Sequence, residues 1–445
     1  MRHTSLMTDM YQLTMAASYF MTNEPVHAVF EMQVRRLPKQ RSYLVLAGLE
    51  DALDYLEQMR FTGEEVDYLR TIPAFSAVAP SFFEELRDFR FEGDVYAMPE
   101  GTLFFGGEPV LRVEAKLLQA QIVETYLLSC MNHQTMIASK AARVVDAAQG
   151  RSVVDFGARR AHGAEAAVLA AKASFIAGCA ATSNLEAGKR FGIPTSGTMA
   201  HSYVLAHDSE EEAFRRYVAL FRENSVLLVD TYETLRGTET AARLCPNVQA
   251  IRLDSGDLSE LSKGARTILD NAGCTDTRIL ASGDLDEYSI AALIESGTPI
   301  DGFGVGTQLI TSADAPYLSM VYKIVESERD GRRIFPAKFS PNKRTYPGRK
   351  NVFRFEEQEK ITKDVVVLCD EPLPEGAKAL IVQQMIDGKR CNQKTPLEQL
   401  RKNVREQVVA LPDNLRKLKD FDDFPVEFSP RLLKLAQKSK ENAGV

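Results

Sequence analysis

Residues able to bind anions or move protons stand at the ends of several short apolar runs. Arginines follow SVVDFG (152–157) and interrupt VQAIRLDSGD (248–257), and a histidine stands near the end of GIPTSGTMAHS (192–202). Glycines and an aspartate occur in RILASGD (278–284), and more glycines fill DGFGVGTQL (301–309). Guanidinium groups match carboxylate and phosphate oxygens, and backbone N–H groups can cradle a phosphate. The pattern predicts a site for a small anionic substrate.

Two glycine-rich segments indicate where a phosphate would bind. ASGD (281–284) and GFGVGT (302–307) place Gly283, Gly304 and Gly306 where the backbone can approach a ligand closely. Neither the P-loop nor the dinucleotide-binding spacing occurs. The alternative is that these glycines only form tight turns, but two such segments together favour a phosphate site.

Three arginines favour a substrate with at least two negatively charged groups. Arg159 and Arg160 follow one predicted strand, and Arg252 lies within another. A guanidinium group stays charged and can bind two oxygens of a carboxylate or phosphate at once. The alternative is a structural salt bridge to Asp155 or Asp254.

His201 is the histidine best placed for chemistry, because it lies in a segment of small residues. It can be a general base, a nucleophile or a plain hydrogen-bonding group. We expect His207 to be structural, and Asp257 to cap the following helix. No histidine or cysteine pair has zinc-ligand spacing, and no G-x-S-x-G motif suggests a serine hydrolase.

These residues must be positioned by repeated strand–helix units that begin near Arg151. Apolar runs that do not alternate, separated by helices such as Glu210 to Arg222 and Glu260 to Asn271, predict a parallel sheet covered by helices. A long series without a dinucleotide fingerprint favours a β/α barrel over an open doubly wound sheet, with the active site at the C-terminal ends of the strands. The predicted strands lie in 152–157, 177–184, 192–202, 225–231, 248–257, 278–284 and 301–309.

The flanking segments have a different character. Asp94 to Ala115 is punctuated by turns and predicts antiparallel strands, Arg332 to Asp370 predicts turn-rich strands, and Gly48 to Arg60 predicts a helix. We therefore predict an α/β fold in which residues 136–328 form a β/α barrel. Residues 1–135 and 329–445 would form a discontinuous α+β accessory domain, the C-terminal segment packing on the N-terminal one.

Composition excludes several classes of protein. The 445 residues carry a formal charge of −7, which argues against a bulk nucleic-acid or anionic-membrane binder. No run approaches the roughly 18 apolar residues needed to cross a bilayer, and Asp9 interrupts the region where a signal peptide would be apolar. Six scattered cysteines without C-x-x-C spacing suggest reduced thiols. We expect a cytoplasmic protein that binds neither nucleic acid nor membrane.

Seven short motifs occur in order along the chain. They are TDMYQLTM (8–15), DFGARRAHG (155–163), ATSNLEAG (181–188), GTMAHS (197–202), IRLDSGDL (251–258), ASGDLDE (281–287) and GFGVGTQL (302–309). Together they resemble the nicotinate phosphoribosyltransferase family. The later segment FSPNKRTYPGRKNVFR (339–354) resembles that family's C-terminal strand region more loosely.

The resemblance implies transfer of a phosphoribosyl group from 5-phosphoribosyl pyrophosphate (PRPP) to nicotinate, giving nicotinate mononucleotide and pyrophosphate, the first step of NAD salvage. It implies an irregular barrel. ATP with Mg²⁺ would be a co-substrate acting through a phosphohistidine, and no organic cofactor would be tightly bound. It also implies a homodimer in which Tyr11 completes the neighbouring active site.

The family motifs imply a role for each matching residue. Phe156 and Tyr11 would stack on opposite faces of the pyridine ring, and Asp254 would orient the ribose. The implied residues are His201 and Asp254 for catalysis; Tyr11, Phe156, Arg159, Ser183, Thr198 and Arg252 for nicotinate; and Gly283, Asp284, Gly304, Gly306 and Thr307 for the phosphate and ribose.

Two departures from relatives matter. Only Cys369 and Cys391 lie where some relatives bind zinc, so we expect no structural metal. Ser183 stands where nicotinamide-using relatives have an aspartate, which favours the acid over the amide.

Other activities stay open as alternatives. The first is a phosphoribosyltransferase for quinolinate or nicotinamide, and quinolinate would want more basic residues than this site offers. A Schiff-base aldolase or lyase would need a lysine at a strand end, and Lys323 is the closest one. A phosphate-binding sensor without catalysis is the third.

Overall fold

The computed structural model describes residues 5–22, 26–338 and 345–442. The chain forms two compact units, one made of the chain up to Met136 and from Tyr317 onward, the other of Ile137–Pro316. Residues 339–344, the start of the predicted C-terminal strand motif, lie outside the described residues. No helix in the described part of the chain is long and apolar enough to cross a membrane.

The helices follow the chain in this order: α1 (Met10–Met21), α2 (Leu49–Gln58), α3 (Gly63–Thr71), α4 (Pro80–Asp88), α5 (Leu117–Ile122), α6 (Glu124–Ala147), α7 (Ala164–Ile176), α8 (Leu185–Phe191), α9 (His201–Leu205), α10 (Glu210–Phe221), α11 (Thr234–Ala242), α12 (Leu258–Asn271), α13 (Glu287–Glu295), α14 (Thr307–Ile310), α15 (Leu397–Ala410) and α16 (Pro430–Asn442).

The strands are β1 (His27–Val34), β2 (Leu44–Val45), β3 (Asp94–Ala97), β4 (Leu103–Phe104), β5 (Pro109–Lys116), β6 (Ser152–Asp155), β7 (Ala181–Thr182), β8 (Ser225–Leu228), β9 (Val248–Leu253), β10 (Arg278–Ala281), β11 (Gly302–Val305), β12 (Met320–Arg329), β13 (Arg332–Ile334), β14 (Lys350–Glu357), β15 (Lys360–Leu368), β16 (Ala377–Ala379), β17 (Val382–Ile386), β18 (Lys389–Arg390) and β19 (Val426–Phe428).

The unit Ile137–Pro316 is built on a curled parallel sheet in the order β7-β6-β11-β10-β9-β8. Its strands bury both faces, as β8 and β11 show, because helices cover the sheet. The predicted α/β class is therefore confirmed. The helix predicted from Glu210 begins there, behind a Ser209 side chain that accepts a hydrogen bond from the Glu212 N–H.

One predicted strand of this sheet is wrong. Within 192–202 the structure has only a single bridge, between Thr195 and Thr182, and His201 already begins α9. Gly192 takes a left-handed backbone that ends α8, and Pro194 has no N–H to donate to a neighbouring strand. In the described residues no pairing joins β7 to β8, so hydrogen bonds do not close the sheet.

The other unit is mainly antiparallel. Its larger sheet has the order β13-β12-β1-β5-β3-β17-β18, and β3 pairs with β5 antiparallel inside the segment predicted to do so. A second sheet has the order β16-β14-β15-β19. β12, which lay within the predicted barrel segment ending at residue 328, pairs along its length with β1. The Phe30 and Tyr322 rings stack across this pair, with their centroids 4.9 Å apart.

Two cysteines depart from the expectation of reduced thiols. Cys245 and Cys274 form a disulfide, with their Cα atoms 6.1 Å apart. Each follows the end of a helix, α11 or α12, and these two helices pack against each other. Packing between neighbouring helices therefore brings together thiols that are 29 residues apart in sequence. Among the described residues, Cys130, Cys179, Cys369 and Cys391 are not part of a disulfide.

Candidate active site

A cavity of about 650 Å³ lies where the parallel strands end. Phe156, Ser183 and Asp254 each follow the last residue of a strand, as the barrel-like arrangement predicts. Every predicted site residue of this unit lines it. The lining residues are Phe156, Arg159, Arg160, Ser183, Gly197, Thr198, Met199, Ala200, His201, Arg252, Asp254, Ser282, Gly283, Asp284, Gly304, Gly306 and Thr307.

Tyr11, the remaining predicted residue, belongs to the other unit. It lies near the start of α1 with 50% of its surface exposed. Partial burial, reinforced by the charges of Glu124 and Asp9, raises its pKa. Its phenol is therefore neutral near pH 7, and its ring is accessible to a ligand or to a neighbouring molecule.

His201 faces two carboxylates. Its Nε2 atom lies 3.7 Å from Asp254 Oδ2 and 4.0 Å from Asp230 Oδ1, and its Nδ1 atom is 3.2 Å from Thr231 Oγ1. The side chain is 41% exposed, so a ligand in the cavity can reach it. A hydroxyl on one ring nitrogen leaves the other free to act as a base or nucleophile, and the carboxylates would stabilise a positive charge on the ring.

Asp230 also faces His201, although the sequence patterns did not single it out. Its Oδ2 atom accepts hydrogen bonds from the Asp254 N–H (3.1 Å) and the Ser255 hydroxyl (2.6 Å), which fixes the start of the loop after β9. Its buried Oδ1 atom accepts no hydrogen bond among the described residues and lies on the His201 side. The signal was present in the sequence, because Asp230 closes the run SVLLVDT as Asp254 closes IRLD.

Asp254 is held from a second direction. The Ser282 hydroxyl, at the end of β10, donates a hydrogen bond to Asp254 Oδ1. The other oxygen, Oδ2, faces His201. One carboxylate thus links two adjacent strand ends while presenting charge to the cavity.

Arg252 brings a positive charge into the cavity wall with few protein partners. Its Nη2 group donates to the Met199 carbonyl (3.2 Å), while Nε–H has no acceptor among the described residues. Burial lowers the pKa of Arg252, although the charges of Asp254 and Asp230 act in the opposite direction. A guanidinium group nevertheless stays protonated near neutral pH, so an anionic ligand would supply the missing acceptor.

Asp155 does not form the salt bridge considered for the arginines. Its oxygens accept from the Gly157 N–H (2.8 Å) and the Thr182 hydroxyl (2.8 Å), and no ion pair of Arg159 or Arg160 is seen among the described residues. Burial raises the pKa of Asp155, and these two hydrogen bonds partly offset that rise. The carboxyl group ties the ends of β6 and β7 together, and so positions the neighbouring Phe156 and Ser183.

Gly304, Gly283 and Gly306 each lack a side chain for a different structural reason. A Cβ atom on Gly304 would lie 2.4 Å from Cδ2 of Phe156, so this glycine makes room for the aromatic ring. Gly283 has a φ of +98°, and a Cβ there would lie 2.0 Å from the Asp254 carbonyl oxygen. A Cβ on Gly306 would meet only the Phe156 carbonyl at 3.5 Å, which leaves this backbone open to a ligand.

Asp257 and His207 make the structural contacts that the sequence predicts for them. Asp257 caps α12 by accepting from the N–H groups of Ser259 and Glu260, and His207 Nδ1 lies 2.7 Å from the Tyr203 carbonyl. Lys323 lies on β12 in the other unit, where its Nζ is 3.4 Å from Glu124. Among described residues, no group of three or more His, Cys, Asp or Glu side chains is arranged to hold a metal ion.

The family models and the curated relatives both point to the nicotinate phosphoribosyltransferase family. Residues 6–132 match the nicotinate phosphoribosyltransferase N-terminal domain, and residues 151–335 match the nicotinate phosphoribosyltransferase family model. The chain is 47% identical to nicotinate phosphoribosyltransferase pncB2 of Mycobacterium tuberculosis, covering 96% of this chain and 92% of that protein. It is 40% identical to the Bacillus subtilis nicotinate phosphoribosyltransferase, covering 96% and 93%.

Two solved structures share the fold of this chain. The human nicotinic acid phosphoribosyltransferase superimposes with a TM-score of 0.85 at 25% identity, covering 97% of this chain and 99% of that one. A nicotinate-nucleotide pyrophosphorylase from Pyrococcus furiosus superimposes with a TM-score of 0.75 at 26% identity, covering 91% and 95%.

Proposed function

Because the chain belongs to the nicotinate phosphoribosyltransferase family, we propose that it transfers a phosphoribosyl group from PRPP to nicotinate, giving nicotinate mononucleotide and pyrophosphate. This reaction is the first step of NAD salvage. The observation that carries the proposal is the cavity itself, where a cationic and aromatic wall at Arg252 and Phe156 lies beside two glycine loops. One wall suits an aromatic carboxylate and the other a sugar phosphate.

Nicotinate would bind against Phe156. The guanidinium carbon of Arg252 lies 5.9 Å from the centre of the Phe156 ring, and Arg159 and Thr198 line the same part of the cavity. A pyridine ring stacked on Phe156 would place its carboxylate within reach of the unsatisfied Arg252 Nε–H. Ser183 adds a neutral hydroxyl, which accepts a carboxylate neighbour where an aspartate would repel it.

The ribose 5-phosphate end of PRPP would bind at the loops after β10 and β11. Gly306 leaves its backbone open, and Asp284, Gly283, Gly304 and Thr307 complete this wall. In the reaction, the nicotinate ring nitrogen forms a bond to the anomeric carbon as the bond to the pyrophosphate oxygen breaks. Asp254 would stabilise the positive charge that develops on the ribose ring.

We propose that ATP phosphorylates His201. A bond would form between Nε2 and the γ-phosphorus as the bond to the bridging oxygen breaks and ADP leaves, while Nδ1–H donates to Thr231. The carboxylates of Asp230 and Asp254 face the ring and fit the Mg²⁺ of the nucleotide, because Asp230 Oδ1 has no hydrogen-bond donor among the described residues. Magnesium would supply charge neutralisation at the phosphates.

We further propose a cytoplasmic homodimer in which the Tyr11 ring of one subunit covers the nicotinate bound to the other. The exposure of Tyr11 supports this role. The curled sheet of residues 137–316 would form the major part of an irregular barrel, with the remaining segments as its accessory domain.

The alternative substrates are quinolinate and nicotinamide. Quinolinate has a second carboxylate, and within the described cavity Arg159, Arg160 and Arg252 are the basic residues that could bind it. Nicotinamide lacks the negative charge that Arg252 would neutralise. A second carboxylate would require more basic residues than these three arginines, and the charge of Arg252 favours an acid over an amide. Both features favour nicotinate.

The test is labelling of the protein with magnesium and γ-labelled ATP. Acid-labile, base-stable label is expected on the wild type and on His207→Ala, a histidine of the same segment outside the cavity, but not on His201→Ala. Nicotinate and PRPP should then discharge the label and yield the mononucleotide. Product without label would contradict the phosphohistidine, and product from another pyridine alone would contradict the nicotinate assignment.

A further inference from the structure

Four charged side chains that do not line the cavity form a set of buried or partly buried ion pairs. Lys140 Nζ lies 2.5 Å from Glu287 Oε2 and 2.9 Å from Asp314 Oδ1, and Arg143 Nε lies 3.4 Å from Glu287 Oε1. The Lys140 side chain is 1% exposed and that of Glu287 is 0% exposed. We call these residues the Lys140 cluster.

The two carboxylates of the cluster come from the segments that carry the glycine loops. Glu287 is the first residue of α13, three residues beyond Asp284. Asp314 lies in the turn after α14, a helix that begins at Thr307. Hydrogen bonds from the N–H groups of Ser312 and Ala313 to carbonyls of α14 connect this turn to the helix. A single ammonium group therefore joins the segments that follow β10 and β11.

The ion pairs of the cluster join two cations to two anions. Burying such groups is costly, and well-packed apolar side chains would stabilise a fold equally well. What the ion pairs add is a fixed distance and direction between two separate segments.

We propose that Lys140 is a positioning residue for the substrate phosphate: it holds the loop around Gly283 and the loop around Gly306 at the spacing that a single phosphate group requires. This inference rests on the proposed function for the identity of the substrate. The binding of ribose 5-phosphate tests it independently of catalysis.

The experiment compares Lys140→Met, Lys140→Arg and Asp314→Leu with the wild type. The matched control is Lys172→Met, which removes another buried lysine of the same unit, one whose ammonium lies 5.4 Å from the Phe191 ring. The dissociation constant of ribose 5-phosphate is measured by calorimetry, together with KM for PRPP, KM for nicotinate, and kcat. Circular dichroism and thermal unfolding verify that each variant is folded.

We expect Lys140→Met to weaken ribose 5-phosphate binding and raise KM for PRPP on the order of 3- to 30-fold, the range typical of residues that act through a packed network. KM for nicotinate should change little, Lys140→Arg should recover part of the loss, and Lys172→Met should leave phosphate binding unchanged.

Asp314→Leu separates positioning from a simple field effect, and it tests the proposal even if Lys140→Met does not fold. It removes one negative charge together with the oxygen that contacts Lys140 Nζ, so a field effect would tighten phosphate binding, whereas loss of positioning weakens it. Tighter or unchanged binding in Asp314→Leu, or equal losses in Lys172→Met, would overturn the proposal. If the wild type binds ribose 5-phosphate but makes no product from nicotinate, the proposed function fails while the binding comparison still decides this inference.

Discussion

Arg252 and His201 obtain most of their properties from residues on other segments of the chain. Arg252 is surrounded by a backbone carbonyl and an aromatic ring, so its charge is only partly compensated. His201 is flanked by Asp230 and Asp254, which suit a ring that becomes positively charged. The same two carboxylates act on both residues, because they also counter the fall in the pKa of Arg252.

Replacement of Arg252 by lysine should raise KM for nicotinate and lower kcat/KM by about ten- to a hundredfold, since a hydrogen bond to a charged group contributes about 1.5–3 kcal/mol. A lysine keeps the charge but cannot present two parallel N–H donors. Steady-state kinetics with nicotinate varied at saturating PRPP measures the effect. The control is Arg278→Lys, because Arg278 begins β10 and so lies at the end of that strand away from the cavity. An unchanged KM would exclude Arg252 from carboxylate binding.

Glu210 predicts a pH dependence of stability. Burial, together with the charges of Glu233 and Asp230, raises its pKa from 4.5 to about 7, although Arg236 opposes the shift. The folded state therefore binds more protons than the unfolded state between these values, and this group lowers the free energy of unfolding as pH rises from 4.5 to 7. Above that window, Glu210→Gln should be more stable than the wild type by about 1 kcal/mol, allowing for solvent screening.

Denaturant unfolding at pH 4 and pH 8 tests this expectation. The Glu210→Gln variant and the wild type should be equally stable at pH 4, where the carboxyl is neutral in both states. Glu211→Gln is the control, because Glu211 is exposed and pairs with Arg215 on the helix surface. A wild-type advantage at pH 8 would show that the Glu210 carboxylate is stabilising and contradict the raised pKa.

The loops owe their shapes to contacts between neighbouring strand ends. Asp155 links β6 to β7, and the Ser282 hydroxyl links β10 to the residue that follows β9. The sequence patterns located all six strands of the parallel sheet within a few residues, because a short apolar run followed by a polar residue is a local signal. The segment 192–202 was predicted to be a strand but forms only a single backbone bridge. The pattern within one segment does not show how many neighbouring strands will pair with it.

Gly304→Ala should push the Phe156 ring out of position, because the added methyl group would lie 2.4 Å from Cδ2 of that ring. We expect a loss of about 1–3 kcal/mol in unfolding free energy, as for other overpacked sites, and a higher KM for nicotinate. Gly197→Ala is the matched control, since Gly197 lines the same cavity and a Cβ there meets nothing within 4 Å.

A second substitution distinguishes the two effects of this clash. Gly304→Ala combined with Phe156→Leu should recover stability, because the smaller side chain makes room, but should leave KM for nicotinate high because the stacking ring is gone. If Gly304→Ala alone leaves both stability and KM unchanged, the Phe156 ring is not held by this contact.

The connectivity of the whole chain divides the predicted site residues between the two units. The chain leaves the first unit after Met136 and returns at Tyr317, and β12 then pairs with β1, a strand almost 300 residues earlier. Residues predicted to act on one ligand thus belong to two units, with Tyr11 in one and the cavity in the other.

If Tyr11 acts on the site of a neighbouring subunit, two inactive variants should restore each other. Tyr11→Ala and His201→Ala, dissociated, mixed in equal amounts and reassociated, would give half heterodimers, each with one intact site. We therefore expect about a quarter of wild-type activity from the mixture. Size-exclusion chromatography verifies the dimer. Two copies of the same variant mixed in the same way are the control. No recovery in the hetero-mixture would place Tyr11 at its own subunit's site, and full activity of Tyr11→Ala by itself would place Tyr11 outside any site.

The amino-acid sequence alone determined the parallel strand–helix series, the three helices predicted at 48–60, 210–222 and 260–271, and most of the residues that line the cavity, because these depend on apolar periodicity and on motifs a few residues long. Only the tertiary structure showed Asp230 beside His201, the disulfide between Cys245 and Cys274, and the Lys140 cluster. It also showed that Gly304 serves the Phe156 ring. Each of these is a contact between distant segments, and such contacts arise from the packing of complete elements rather than from any local pattern.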